Sequence, residues 1–258
     1  MAQGKGVGQF AMSVSANQTS RDEEYLTGLA SYFEQGIGDT IDKLRSFPKF
    51  IPNSALGKFL CRYELFQEIL PVHGAIIECG VHLGGGVMTW AQFSAIYEPF
   101  NHVRKIVGFD TFAGFAGVNE KDIAAGVDAS GKGTFAAPAY EDIQRGIGVF
   151  DLGRPLGHIP KVELVKGDAL QTIPAYLAAN QHLVVALLYL DFDVYEPTKV
   201  ALETLRPRMP KGAVIVFDEL YNRQWPGETL AVLETIGISN LRIKRFPHQP
   251  QISYAVIE

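Results

Sequence analysis

Several things are scarce in this chain, and each scarcity excludes something. Cysteine occurs twice in 258 residues, as Cys61 and Cys79, too few for a disulfide framework. A reducing cytoplasm is the expected setting. An excess of basic charge is missing: 23 basic against 28 acidic side chains give a formal charge of -5. Such a surface does not suit a phosphate backbone, so no nucleic acid is expected as a partner. Long hydrophobic runs are absent. The longest, Leu183 to Leu190, falls far short of a bilayer span, and the opening MAQGKGVGQF lacks the apolar core of a signal peptide. No membrane partner is expected. Repeats at solenoid spacing are missing, as are the GxGxxG, P-loop and GxSxG patterns. Of the six histidines, His82, His158, His182 and His248 fall in expected loops, and none has the HxH or HExxH spacing of a metal site.

What is present is apolar and rhythmic. Hydrophobic residues make up 47% of the chain, enough for one large core. Residues 1–20, rich in Gly, Ser, Gln and Asn, read as a mobile arm, and 21–258 as a single domain. Helical spacing is expected at about 22–35 and 54–70, the second carrying Leu56, Phe59, Leu60, Tyr63 and Phe66 and stopped by Pro71. Strands and helices then alternate. GAIIEC (74–79), RKIVGF (104–109), VELVK (162–166), LVVALLYL (183–190) and AVIVF (213–217) read as strands. Helices are expected over 85–97, 169–178, 196–206 and 227–236. The fourth strand is apolar without alternation, the mark of burial on both faces. LRIKRF (241–246) and ISYAVI (252–257) alternate and read as an edge hairpin. The fold expected is α/β: a doubly wound, mostly parallel sheet, Rossmann-like, with a C-terminal antiparallel hairpin and added N-terminal helices. Residues 111–160 break the rhythm and read as a lid or binding insertion, with a short helix at 140–150.

In such sheets ligands bind beyond the carboxyl ends of the strands, so the residues there carry the chemistry. The first strand runs into Glu78-Cys79-Gly80-Val81-His82-Leu83-Gly84-Gly85-Gly86. Glycines let backbone approach a ligand closely, and the helix that follows presents free N–H groups and partial positive charge. The alternative is a plain glycine-rich turn. Asp110 ends the second strand, where an acid hydrogen-bonds ribose hydroxyls or simply starts a turn. Gly167-Asp168 ends the third, over an adenine ring or as a helix N-cap. Asp191 and Asp193 follow the fourth strand, and Asp218 and Glu219 the fifth. If those strands are neighbours, the carboxylates repel one another unless a cation is present. Oxygen ligands of this kind suit Mg²⁺. In strand geometry Asp191 and Asp193 point to opposite faces, and Asp191 is the preferred ligand.

ECGVHLGGG, GFDTFAGF and LDFDVYEPTKVALETLRPRMPKGAVIVFDE, in this order and spacing, resemble the macrocin O-methyltransferase family over about residues 50–235. Its members are class I enzymes that use S-adenosylmethionine and Mg²⁺ to methylate sugar hydroxyls of secondary metabolites. The resemblance implies that Glu78, Gly80 and Gly84 hold the amino-acid end of the cofactor, that Asp110 meets the ribose, and that Asp168 lies near adenine. Val81, Gly85, Thr111 and Gly167, beside these positions, complete the expected cofactor set. Asp191 is implied as metal ligand and general base, with Asp218 and Glu219 as the other ligands. The family has two aspartates followed by an aromatic where this chain has Asp218-Glu219-Leu220, and Trp225-Pro226-Gly227-Glu228 also departs from the sugar enzymes.

The expected reaction has two vicinal hydroxyls of a small, glycosylated acceptor bound to Mg²⁺, Asp191 taking the proton, and the sulfonium methyl transferred in line. A homodimer or higher homo-oligomer is expected from the N-terminal helices. Three rival readings remain: a catechol-type enzyme with a phenolic acceptor, a non-catalytic cofactor-binding or oligomeric protein, and an NAD-dependent oxidoreductase, whose glycine spacing is lacking.

Overall fold

A computed structural model describes residues 19–123, 133 and 135–258. The expected N-terminal arm lies, except for Thr19 and Ser20, outside the described residues. The chain divides after Lys58 into two compact units. The smaller holds α1 (Ser20–Gln35) and α2 (Thr40–Arg45). Each begins with an acid reaching back to its cap: Asp22 accepts from Thr19 N at 2.8 Å, and Asp42 from Asp39 N at 3.3 Å. Such contacts satisfy amides that the first helical turn leaves open. No side chain of α1 or α2 is buried. The α2 helix had no counterpart in the sequence reading, since six residues are too few to show a period.

The helix α3 (Asn53–Ile69) leads into the larger unit. Its buried stripe is Cys61, Leu65, Phe66 and Ile69, while Leu60 and Tyr63 are partly exposed. The apolar face is thus rotated from the one read off the sequence, and Arg62 shares it.

The larger unit continues through β1 (Ala75–Cys79), α4 (Gly85–Tyr97), β2 (Ile106–Asp110), α5 (Tyr140–Leu152), β3 (Val162–Lys166) and α6 (Ala169–Ala179). Then come β4 (Val185–Leu190), α7 (Tyr195–Leu205), β5 (Val214–Phe217), α8 (Gly227–Thr235), β6 (Lys244–Phe246) and β7 (Gln249–Val256). The seven strands form one sheet in the order β3-β2-β1-β4-β5-β7-β6. The first five are parallel, and β7 and β6 close the edge antiparallel. The expected doubly wound sheet with its C-terminal hairpin is therefore present.

All six residues of β4 and all five of β1 are buried. Alternate residues along them serve different cores. Ile76, Leu187 and Tyr189 pack with α3, α4 and Trp90 on one face. Ile77, Leu188 and Leu190 pack with α6, α7 and Ala231 of α8 on the other. A strand covered on both faces needs apolar side chains at every position. Truncating one of them, Leu188 for instance, would cost about 2–5 kcal/mol through lost transfer energy and the cavity left behind. Strand order places the switch in winding between β1 and β4, with β2 and β5 flanking it.

Candidate active site

The strands β1, β4 and β5 and the edge strand β3 each hand over the next residue one rung beyond their last regular pair. Gly80 N donates to Phe109 O at 2.9 Å, Asp191 N to Cys79 O at 2.8 Å, Asp218 N to Leu190 O at 3.1 Å, and Gly167 N to Asp110 O at 2.9 Å. These bonds fix the glycine loop, Asp110, Asp191 and Asp218 in register along one edge.

Asp110 organises the loop. Its Oδ2 accepts from Val81 N at 2.7 Å and His82 N at 2.8 Å, and its Oδ1 from Phe112 N at 2.6 Å. A carboxylate has about four acceptor positions, so three are committed to backbone. Gly84 is the N-cap of α4 with φ 83, a left-handed conformation that favours glycine. A Cβ there would also lie 2.8 Å from Ile143 of α5. The α5 helix thus lies against the loop, as a cover from within the 111–160 insertion. At Gly85 a Cβ would meet only open space, so the first turn of α4 has an unobstructed side.

Glu78 lies beneath this turn. It is 2% exposed, its Oε2 accepts from Trp90 Nε1 at 2.5 Å, and a Cβ on Gly86 would overlap its carboxylate. Thr111 makes a local turn, its hydroxyl donating to Gly114 O at 2.5 Å and accepting from Ala113 N at 3.0 Å. Gly167 has φ 142. Asp168 caps α6, accepting from Leu170 N at 3.0 Å, so of its two sequence readings the N-cap is present.

The carboxylates of β4 and β5 are neighbours because the strands are. Asp191 is half-buried. Asp193 is buried with φ 62, so strand alternation does not govern this pair: β4 ends at Leu190. Asp218 accepts from the Tyr189 hydroxyl at 2.6 Å, and the Glu219 carboxylate accepts from Asn222.

A fifth acid, Glu228, was not anticipated. It is fully buried at the start of α8. One oxygen accepts from Glu219 N at 3.0 Å, and the other, Oε2, has no hydrogen-bond partner. Burial above all, then Asp218 and Glu219, pushes its pKa well above the carboxylate range. In the sequence, an acid in a first helical turn looks like ordinary dipole compensation, and only the packing distinguishes it.

The donors are all oxygen, the set that hard divalent cations take. The unpartnered Glu228 oxygen beside them is consistent with a missing positive group. Among the described residues no three His, Cys, Asp or Glu side chains converge closely enough to hold an ion. Magnesium is commonly held by one or two carboxylates, with waters and substrate oxygens completing its shell. The residues fit an open site of that kind and not a closed protein cage.

The segment after β2 crosses this edge. Asp122, 3% exposed, accepts from Tyr195 N at 2.6 Å and Asn119 N at 2.7 Å. Asn119 donates to Glu196 at 2.8 Å, and Lys121 pairs with Glu234 at 2.6 Å. Because β1 and β4 lie between β2 and these anchors on α7 and α8, residues 111–122 form a strap over the ends of β1 and β4. Phe115 of the strap packs edge to face with Phe135 and Trp225, with ring centroids 5.3–5.6 Å apart among the three. The start of the expected lid is therefore anchored; residues 124–132 and 134 lie outside the described residues.

A sheet of this order, with such an edge, is the framework of an O-methyltransferase. The chain belongs to the macrocin O-methyltransferase (TylF) family, whose model matches residues 62–232. It is similar to the crystal structure of CalS11, a calicheamicin methyltransferase, at 34% identity and a TM-score of 0.88, with 93% of each chain covered. An apo structure of CalS11, described as a TDP-rhamnose 3'-O-methyltransferase of calicheamicin biosynthesis, is 32% identical with a TM-score of 0.80, over 93% of this chain and 95% of that one. The O-methyltransferase NovP shares the fold at 20% identity and a TM-score of 0.61, over 78% and 79% of the two chains. None of the curated proteins matches. Among the described residues no helix is long and apolar enough to cross a membrane, and Cys61 and Cys79 are buried and not joined in a disulfide.

Proposed function

We propose that this chain transfers the methyl group of S-adenosylmethionine to a hydroxyl of a sugar moiety in natural-product biosynthesis, with a nucleoside diphosphate sugar as the acceptor to test first. The observation that carries this reading is the likeness to CalS11 over nearly the whole of both chains.

In this reading the cofactor lies along the edge of β1, β2 and β3. The open first turn of α4 receives its amino-acid end through Gly80, Val81, Gly84 and Gly85, with Glu78 supporting the turn from below. The remaining acceptor capacity of Asp110 meets the ribose, and Thr111, Gly167 and Asp168 border the adenine. Asp191, half-buried beside the loop, takes the proton from the acceptor hydroxyl. Asp191 and Asp218 would hold Mg²⁺, with Glu219 in reach of the same group; a cation there lowers the pKa of a coordinated hydroxyl. The strap and α5 exclude water while oxygen, methyl and sulfur are aligned. The reading includes a homodimer, supported by the exposed apolar side chains Tyr25, Tyr32, Phe33, Ile41 and Leu44 and tested by light scattering.

The test is calorimetric titration of S-adenosylmethionine and S-adenosylhomocysteine, with Mg²⁺ and again with chelator. Mass-spectrometric detection of methylated product follows, from TDP-sugars and, separately, catechols. Saturable binding and a methylated sugar support the reading. Binding with only catechol methylated moves it to the phenolic class, and no binding under either condition refutes it.

A further inference from the structure

Arg62 is a large buried cation on the α3 and α4 side of the sheet that the proposed chemistry leaves unused. It is 8% exposed. Its guanidinium carbon lies 4.8 Å from the centroid of the Tyr189 ring and 5.9 Å from that of Trp90. Its Nε is buried without a hydrogen-bond partner, so rings hold this part of the group where a carboxylate fork ordinarily would. The two rings have one polar group each, and both are spent on site carboxylates: Trp90 Nε1 on Glu78 and the Tyr189 hydroxyl on Asp218. Glu78 and Tyr189 are register partners on adjacent strands. Burial opposes the guanidinium charge, but the negative charges of Glu78, Asp218 and Asp191 nearby favour it, and the pKa is raised above its ordinary value.

We infer that Arg62 is a positioning residue for methyl transfer: by stacking on Tyr189 it fixes the aim of that hydroxyl at Asp218, and so the setting of the acceptor-side carboxylates. The inference rests on the transferase reading. It goes beyond it by naming a residue on α3, a helix outside the βα units. Stacking and charge are both needed, because a carboxylate as buried as Asp218 is strongly disfavoured unless its charge is compensated. Lysine supplies the charge without the planar stack, so it does not replace arginine here.

The test compares the full chain with Arg62→Lys, Tyr189→Phe and the double variant. Readouts are kcat and KM for S-adenosylmethionine with the acceptor that the wild type methylates, the dissociation constant for S-adenosylhomocysteine, and the thermal midpoint. The expected result is a fall in kcat of about ten- to a hundredfold in each single variant, the scale of a small misplacement at a reacting centre. KM and the dissociation constant stay within about twofold. The double variant is no slower than the slower single one, because both act through one contact. Losses that multiply in the double variant overturn the inference, as does a kcat within about twofold of wild type in either single variant. Should Arg62→Lys not fold, Arg62→Gln, which keeps a planar group over the ring, takes its place under the same criteria. A wild-type protein that methylates no acceptor refutes the transferase reading itself, an outcome distinct from a fast Arg62 variant.

Discussion

Replacing Asp110 by asparagine tests the core of the cofactor site. Three backbone amides converge on this side chain, two on one oxygen at 2.7 and 2.8 Å and one on the other at 2.6 Å. Asparagine offers one carbonyl oxygen and turns the other position into an N–H₂ that faces an N–H. At least one bond is lost, and those that remain lose their charge. A hydrogen bond to a charged group contributes about 1.5–3 kcal/mol, so the loop should be loosened by about 2 kcal/mol. If the loop must be ordered before the cofactor binds, that cost appears in affinity as a weakening of about thirtyfold. The assay is calorimetry of S-adenosylhomocysteine with wild type and Asp110→Asn, beside thermal unfolding of both. The midpoint should drop by a few degrees. An affinity within about threefold of wild type, a difference below 1 kcal/mol, would falsify the claim that Asp110 pre-orders the glycine loop.

The remaining expectations concern neighbouring groups. Gly84→Ala places a Cβ against Ile143 at a left-handed φ and should cost about 1–3 kcal/mol of stability. Gly85→Ala meets open space, so it should leave the melting point unchanged and lower cofactor affinity; equal melting points for the two variants would count against the assignment. Glu228 has a folded-state pKa well above the ordinary carboxylate value, so the unfolded chain releases this proton first and stability falls as pH rises above about 4.5. Glu228→Gln removes that dependence. Its unfolding temperature should gain on wild type between pH 5 and 8, and a constant difference across that range would show that Glu228 is not held protonated. Asp191→Ala should abolish turnover while leaving S-adenosylhomocysteine affinity nearly intact; loss of cofactor binding in this variant would remove Asp191 from the acceptor side.

Sequence alone determined the sheet, because a strand covered on both faces must be apolar throughout. The run from Leu183 to Leu190 therefore announced β4, and the glycine loop after Cys79 and the acids after Leu190 and Phe217 followed from it. The chain also determined the edge on which they gather, since parallel strands present all their carboxyl ends together. Short or side-specific features were beyond it: six residues of α2 show no period, and the buried stripe of α3 runs through Arg62, Leu65, Phe66 and Ile69 where an apolar reading would place no charge.

Tertiary structure decided what each polar group spends its hydrogen bonds on. Asp110 lies at a strand end by sequence, but the close approach of the loop after β1 gives it the amides of Val81 and His82, beside that of Phe112 two residues on. Glu228 reads as a first-turn acid and Asp122 as one residue of the 111–160 insertion, and both become buried anchors only where the segment after β2 packs against α7 and α8. A hydrogen bond or a desolvated charge depends on which atoms arrive within about 3 Å, and residues as far apart along the chain as Asp122 and Tyr195 meet at that distance only once the sheet has ordered its strands.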